Sequence, residues 1–194
     1  LGYAVGNALE VREAIETLHG RGPKDLEELC LVLGGQMMML AGEAGSAEEA
    51  EEKLREALRS GKALEKFREW VASQGGDPWV ADDPDRLPRA AFQIEVPARK
   101  GGVVEKIVAD QIGIAAMMLG AGRAMKESAI DLSVGLVLHK KVGDPVEEGE
   151  PLVTIHANRE QIDEIIEKIH AAIKIGDHAE KPALIHEVIA ASAV

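Results

Sequence analysis

The chain has 194 residues, enough for one globular domain or two small ones. Hydrophobic residues make up 46% and can form a core, but aromatics are only 3%, so Leu, Ile, Val, Ala and Met must fill it. Lys plus Arg total 22 against 34 Asp plus Glu, and the formal net charge of −12 argues against a nucleic-acid partner and against a basic membrane anchor.

Cys30 is the single cysteine, so neither an internal disulfide nor a thiolate zinc site is available, which suits a reducing cytoplasm. No charged-then-apolar leader and no bilayer-length apolar run are visible, so a soluble cytoplasmic protein is expected. The first residue is Leu1, which points to a processed or trimmed chain.

The first half reads as helical. In NALEVREAIETLHG, Asn7 stands three residues before Glu10 as in a capping box, Val11, Ile15 and Leu18 share a helical face, and Gly20 ends the segment. GPKDLEELCLVLGGQMMMLAG begins with Pro23 and carries the stripe Leu26, Leu29, Leu33, Met37 and Leu40. Ser46 and Glu49 open a third helix, and a fourth follows Gly61. The stretch GGDPWVADDPDRLPRA, with three prolines and a cluster of Asp, reads as a linker.

Beyond it the period changes. AFQIEVPAR and GGVVEKIVA read as strands, ADQIGIAAMMLGAG as a short apolar helix, and SVGLVLHKKV and PLVTIHA as strands joined by GDPVEEGE. NREQIDEIIEKIHAAIKIG is an amphipathic helix with Ile162, Ile165, Ile166 and Ile169 on one face. The expected class is α+β, a helical segment followed by a compact sheet-and-helix unit.

No Walker loop, nucleophile elbow or zinc-binding His-Glu-x-x-His helix occurs, and no catalytic residue is assigned. The six histidines are scattered, and His139, His156 and His170 read as surface or satisfied side chains. The Met37–Met39 run reads as packing, and the acidic run from Glu48 to Glu52 as a solvated helix face. Two glycine-rich pieces are more suggestive. Gly120, Gly122 and Arg123 in GAGR form a loop whose exposed N–H groups and cation could approach a substrate, although on pattern alone a flexible turn is the plainer reading. VGDPVEEGEPLVTI is a tight hairpin resembling those of biotinyl and lipoyl carrier domains, with Met125-Lys126 upstream but Glu127 where such domains have a second Met. This leaves a carrier or interaction module using Lys126 as the alternative reading.

Taken together, LGYAVGNALEVREAI and VADQIGIAAMMLGAGRAMKESAIDLSVGLVLHKKVGDPVEEGEPLVTIHAN resemble the C-terminal half of the bacterial pyrimidine nucleoside phosphorylases, relatives of thymidine phosphorylase. The resemblance implies reversible phosphorolysis of uridine- or thymidine-type nucleosides, with phosphate as co-substrate. It implies that residues 1–87 are the helical part of a truncated central α/β domain, and that residues 88–194 are an α/β-hammerhead-like C-terminal domain. In that family the phosphate loop and the base-binding set lie in the N-terminal half, so this chain is expected to be inactive alone. The complete enzyme would be a homodimer. The resemblance further implies a potassium ion held by the backbone carbonyls of Leu1 and Ala4 and the carboxylate of Glu13. By periodicity alone Glu13 lies opposite the Val11, Ile15 and Leu18 face and reads as an exposed acid.

Overall fold

A computed structural model of the chain describes residues 1–123 and 125–189. It has the expected α+β character. A two-residue strand β1 (Ala4–Val5) leads into four helices, α1 (Asn7–Leu18), α2 (Lys24–Leu40), α3 (Ala47–Arg59) and α4 (Lys62–Ser73). Strands β2 (Phe92–Pro97) and β3 (Gly102–Ile107) follow, then α5 (Ala109–Leu119), β4 (Gly135–Leu138), β5 (Pro145–Val146), β6 (Pro151–Ala157), α6 (Asp163–Ala172) and β7 (Ile173–Gly176). One antiparallel sheet has the order β1-β4-β6-β2 and a second the order β5-β3-β7.

The core lies between these sheets and helices α5 and α6. Val96, Val104, Leu136, Val153, Ile155, Ile165 and Ile169 are among its fully buried members. The isoleucine stripe of the last helix points inward as its spacing predicts, with Ile162, Ile165 and Ile169 buried and Ile166 packed at the margin. Alternation on β6 does the same, with Val153, Ile155 and Ala157 inside and Thr154 and His156 half-buried between them.

Four sequence expectations differ from the structure. The end of the expected last helix, Ile173–Gly176, is strand β7, paired with β3. Asn7 does not cap α1. The cap position is Gly6, whose N–H donates to Glu10 Oε1 at 2.8 Å, and Asn7 is the first helical residue with its carboxamide turned elsewhere. Ser46 does cap α3, accepting from the N–H of Glu49.

The apolar stripe proposed for α2 is largely open: Leu33 is 50%, Met37 67% and Leu40 89% exposed. The covered face is that of Leu31 and Gly35, because Gly34 and Gly35 bring α2 close to Leu54 and Ala50 of α3. Helical period reports that a face is apolar, not which neighbour covers it.

The linker, finally, is folded. Pro78–Ala81 and Pro84–Arg86 form short 3-10 turns, each started by an aspartate (Asp77, Asp83) that accepts a backbone N–H. Val80 and Ala81 are buried, and Arg12 of α1 donates to Pro84 O and Asp85.

The strand at the start of the chain joins the sheet of the second unit. Ala4 pairs with Val137 and Val5 with Leu136. The crossing has room for glycine alone. A Cβ on Gly6, at φ +133°, would lie 2.7 Å from Val134 O and 2.9 Å from the Cα of Gly135, and one on Gly135 would strike Val5 O. Gly135→Ala is expected to cost about 1–3 kcal/mol, as other overpacked sites do. Chemical denaturation of the variant beside the parent chain measures it, and equal midpoints would show that the strands can separate without loss.

Candidate functional site

The residues before α1 form a tight loop held by two carboxylates. Gly2 has φ +64° and is buried. Glu13, on the second turn of α1, folds back over this loop. Its Oε1 accepts the N–H of Tyr3 at 2.7 Å and of Ala4 at 3.1 Å, and a Cβ on Gly2 would collide with its Oε2. From the other side Asp25 Oδ2, at the start of α2, accepts the N–H of Gly2 at 3.2 Å. Lys141, just beyond β4, donates to the same Oδ2 at 2.5 Å, and its ammonium stands 4.5 Å from the centre of the Tyr3 ring. Burial tends to raise the Asp25 carboxyl, but the Lys141 hydrogen bond and charge, with the N–H groups of Leu26 and Gly2, outweigh it and hold the group below the usual aspartate range.

Glu13 is therefore half-buried and bonded, not the exposed acid that periodicity alone suggests. The structure brings Glu13 and the Leu1–Ala4 loop together. Tyr3 O accepts from Leu138 N, so Ala4, the next residue along the ladder, turns its peptide groups away from β4, and its N–H meets Glu13. Among the described residues no group of three His, Cys, Asp or Glu could hold a metal. An open groove of about 470 Å3 runs beside the loop, lined in part by Tyr3, Ala4, Glu13, Val137 and His139.

Gly120, Gly122 and Arg123 lie elsewhere, at the exit of α5. Gly120 ends the helix at φ +109°, its N–H donating to Met117 O, while Ala121 N donates to Ala116 O at 3.1 Å. Gly120 O in turn accepts the N–H of Asp131 at 2.9 Å, which closes the base of the loop. Arg123 is exposed. Asp131 is fixed by Ser133, through both N–H and hydroxyl, and by the Asn158 amide, and these bonds keep its carboxyl below the ordinary range.

Lys126 is exposed on the chain between α5 and β4, not between two paired strands, so the hairpin analogy to carrier domains does not extend to it. The histidines stay apart. His139 bonds Thr154 Oγ1, while burial, with the positive charge of Arg12 or Arg99 added, pushes His156 and His170 below the usual imidazole value. Among the described residues, no helix is long and apolar enough to cross a membrane.

Residues 103–176 match the family described as "Pyrimidine nucleoside phosphorylase C-terminal domain". That domain is present in this chain. The similarity extends well past it. The pyrimidine-nucleoside phosphorylase of Bacillus subtilis (strain 168) is 59% identical over 189 residues, which are 97% of this chain and 44% of the relative. That of Staphylococcus aureus (strain USA300) is 56% identical over 189 residues, with the same coverage. The chain thus spans less than half the length of these relatives. The resemblance to the pyrimidine nucleoside phosphorylases read from sequence motifs holds across nearly the whole chain, and the carrier alternative gains no support.

Sequence reasoning missed Tyr3, Asp25 and Lys141. Lys141 and Asp25 meet across 116 residues, and nothing local to either marks the pairing. Since the Asp25 carboxyl is held low, the pair's contribution is present above the ordinary aspartate value of about 3.9 and is lost as pH falls through the lower folded value. Lys141→Met should cost about 1–2 kcal/mol at pH 7. Its melting temperature should converge on that of the parent as both are acidified below about pH 4. Melting curves from pH 7 to pH 3 test this, and a gap independent of pH would mean the pair contributes through packing alone.

Proposed function

We propose that these residues form the C-terminal part of an enzyme for reversible phosphorolysis of pyrimidine nucleosides. The observation that carries the reading is the 59% identity over 189 residues to a protein named for that activity. In the reaction a phosphate oxygen attacks C1′, the C1′–N bond breaks, and the pyrimidine leaves as (deoxy)ribose 1-phosphate forms. Charge develops on the leaving base and on the sugar, so groups fixed beforehand around both ends lower the barrier. On this reading the preceding part of the enzyme supplies the phosphate- and base-binding groups. The Gly120–Arg123 loop faces the nucleoside cleft with its guanidinium, and the 1–4 loop braces the phosphate site.

In the same reading the carbonyls of Leu1 and Ala4 and the carboxylate of Glu13 hold a potassium ion, which supplies fixed positive charge near the phosphate. The fit of Glu13 to the loop supports this. We further infer a cytoplasmic homodimer. The open apolar face of Leu33, Met37 and Leu40 supports a larger assembly, and the lone Cys30 is in keeping with a reducing compartment.

The 194-residue chain alone is expected to leave uridine and thymidine intact in phosphate buffer. A chimaera in which it replaces the matching 189-residue stretch of the Bacillus subtilis relative is expected to release free base from them. Chromatography of the products decides, and a folded but inactive chimaera would overturn the reading. In that chimaera potassium in place of choline should raise both turnover and melting temperature, the latter by roughly a few degrees. Glu13→Gln keeps an oxygen for the Tyr3 and Ala4 N–H groups but removes the charge. It should abolish the potassium response while the melting temperature in choline changes little, whereas an unchanged potassium response would remove Glu13 from the site.

A further inference from the structure

Helix α1 grips the glycine-rich loop from outside. The carboxamide nitrogen of Asn7 donates to Ala121 O at 3.0 Å, across 114 residues of sequence. The next residue, Ala8, donates its N–H to Leu132 O at 3.1 Å. Two consecutive residues in the first turn of α1 thus hold the two ends of the segment that leaves α5 and enters β4. The Asp131 end has further anchors in Ser133 and Asn158. At the other end Gly120, at φ +109°, and Ala121 donate their N–H groups to Met117 O and Ala116 O, and Gly120 O accepts from Asp131, which leaves the Ala121 carbonyl to the Asn7 amide.

Asn7 has no competing task within its own helix. Gly6 occupies the cap position, and Glu10 satisfies the Gly6 N–H. Asparagine is a mediocre helix former, and its value here lies in the amide that reaches across. The same helix carries Glu13, so one rod of 12 residues ties the 1–4 loop to the glycine-rich loop.

We propose that Asn7 is a positioning residue: it fixes the Ala121 carbonyl and thereby the orientation of Gly120 to Arg123. The proposal rests on the reading of that loop as the one facing the nucleoside, but its test does not need substrate. The loop carries two trypsin sites, Arg123 and Lys126, both exposed. Asn7→Asp preserves size, removes the donor, and places an acid in the first turn of α1, where the helix favours it. Asn7→Ala removes the amide and leaves a good helix former.

In the 194-residue chain under native conditions, both variants should speed cleavage after Arg123 and Lys126 by roughly fivefold, the loss of one amide-to-carbonyl hydrogen bond. Cleavage after Arg99, in the turn between β2 and β3, should keep its rate, and the melting temperature should stay within about two degrees of the parent. Unchanged cleavage at Arg123 and Lys126 overturns the proposal. Faster cleavage at every site with a lowered melting temperature overturns it too, because Asn7 would then support the fold as a whole. In the active chimaera the Asn7 variants should raise KM for the nucleoside while leaving the potassium response intact. An inactive chimaera would refute the proposed function and leave the proteolysis result standing.

Discussion

The backbone of Gly6 lies against that of Val134 and Gly135 with no space for a side chain on either glycine. This contact sets where α1 begins and how it leaves the sheet. With β1 laid along β4, Tyr3 and Ala4 take up a course on which Glu13 can reach back to their N–H groups. The same start places Asn7 and Ala8 over the exit of α5. Widening the crossing by a methyl group would shift both sets of contacts together, because the helix between them is stiff.

Acidic side chains are plentiful, and those at the site are used to organise backbone. Glu13, Asp25 and Asp131 each accept at least one main-chain N–H in a loop that lacks regular structure. A carboxylate satisfied in this way replaces the ladder partner that a strand would have provided. Asp25 also shows how a charged group is retained in a half-buried place. Its proton affinity is set by competition between burial and Lys141, and the lysine in turn lies over the Tyr3 ring.

Much of the architecture was legible in sequence because its signals are local. The period of Ile162, Ile165 and Ile169, the alternation on β6, the Ser46 cap and the glycine that ends α5 each follow from neighbours a few residues away. Expectations failed where a distant partner decides. Asn7 resembles a cap by spacing, yet its amide is directed to Ala121. The α2 stripe is apolar, yet Gly34 and Gly35 give the closer approach to α3 and so select the other face. The proline-rich stretch reads as a spacer, yet Arg12 and His19 of the α1 region bond its carbonyls. At the site, motif resemblance pointed to Glu13 and the 1–4 loop, and the structure joins them. Tyr3, Asp25 and Lys141 carry no motif, and only the fold brings them to one place.

The placement of β1 also dictates an order of events as the chain is made. Its partner β4 emerges from the ribosome only after all four helices, α5 and the glycine-rich loop. Until then the first residues have no strand to pair with, and Asp25 waits 116 residues for Lys141. Closing so long a loop is slow and comes late, after the local helices have formed. The 1–5 segment is thus made well before its partner strand and is among the last of these residues to settle, leaving its edge available to other chains in the interval.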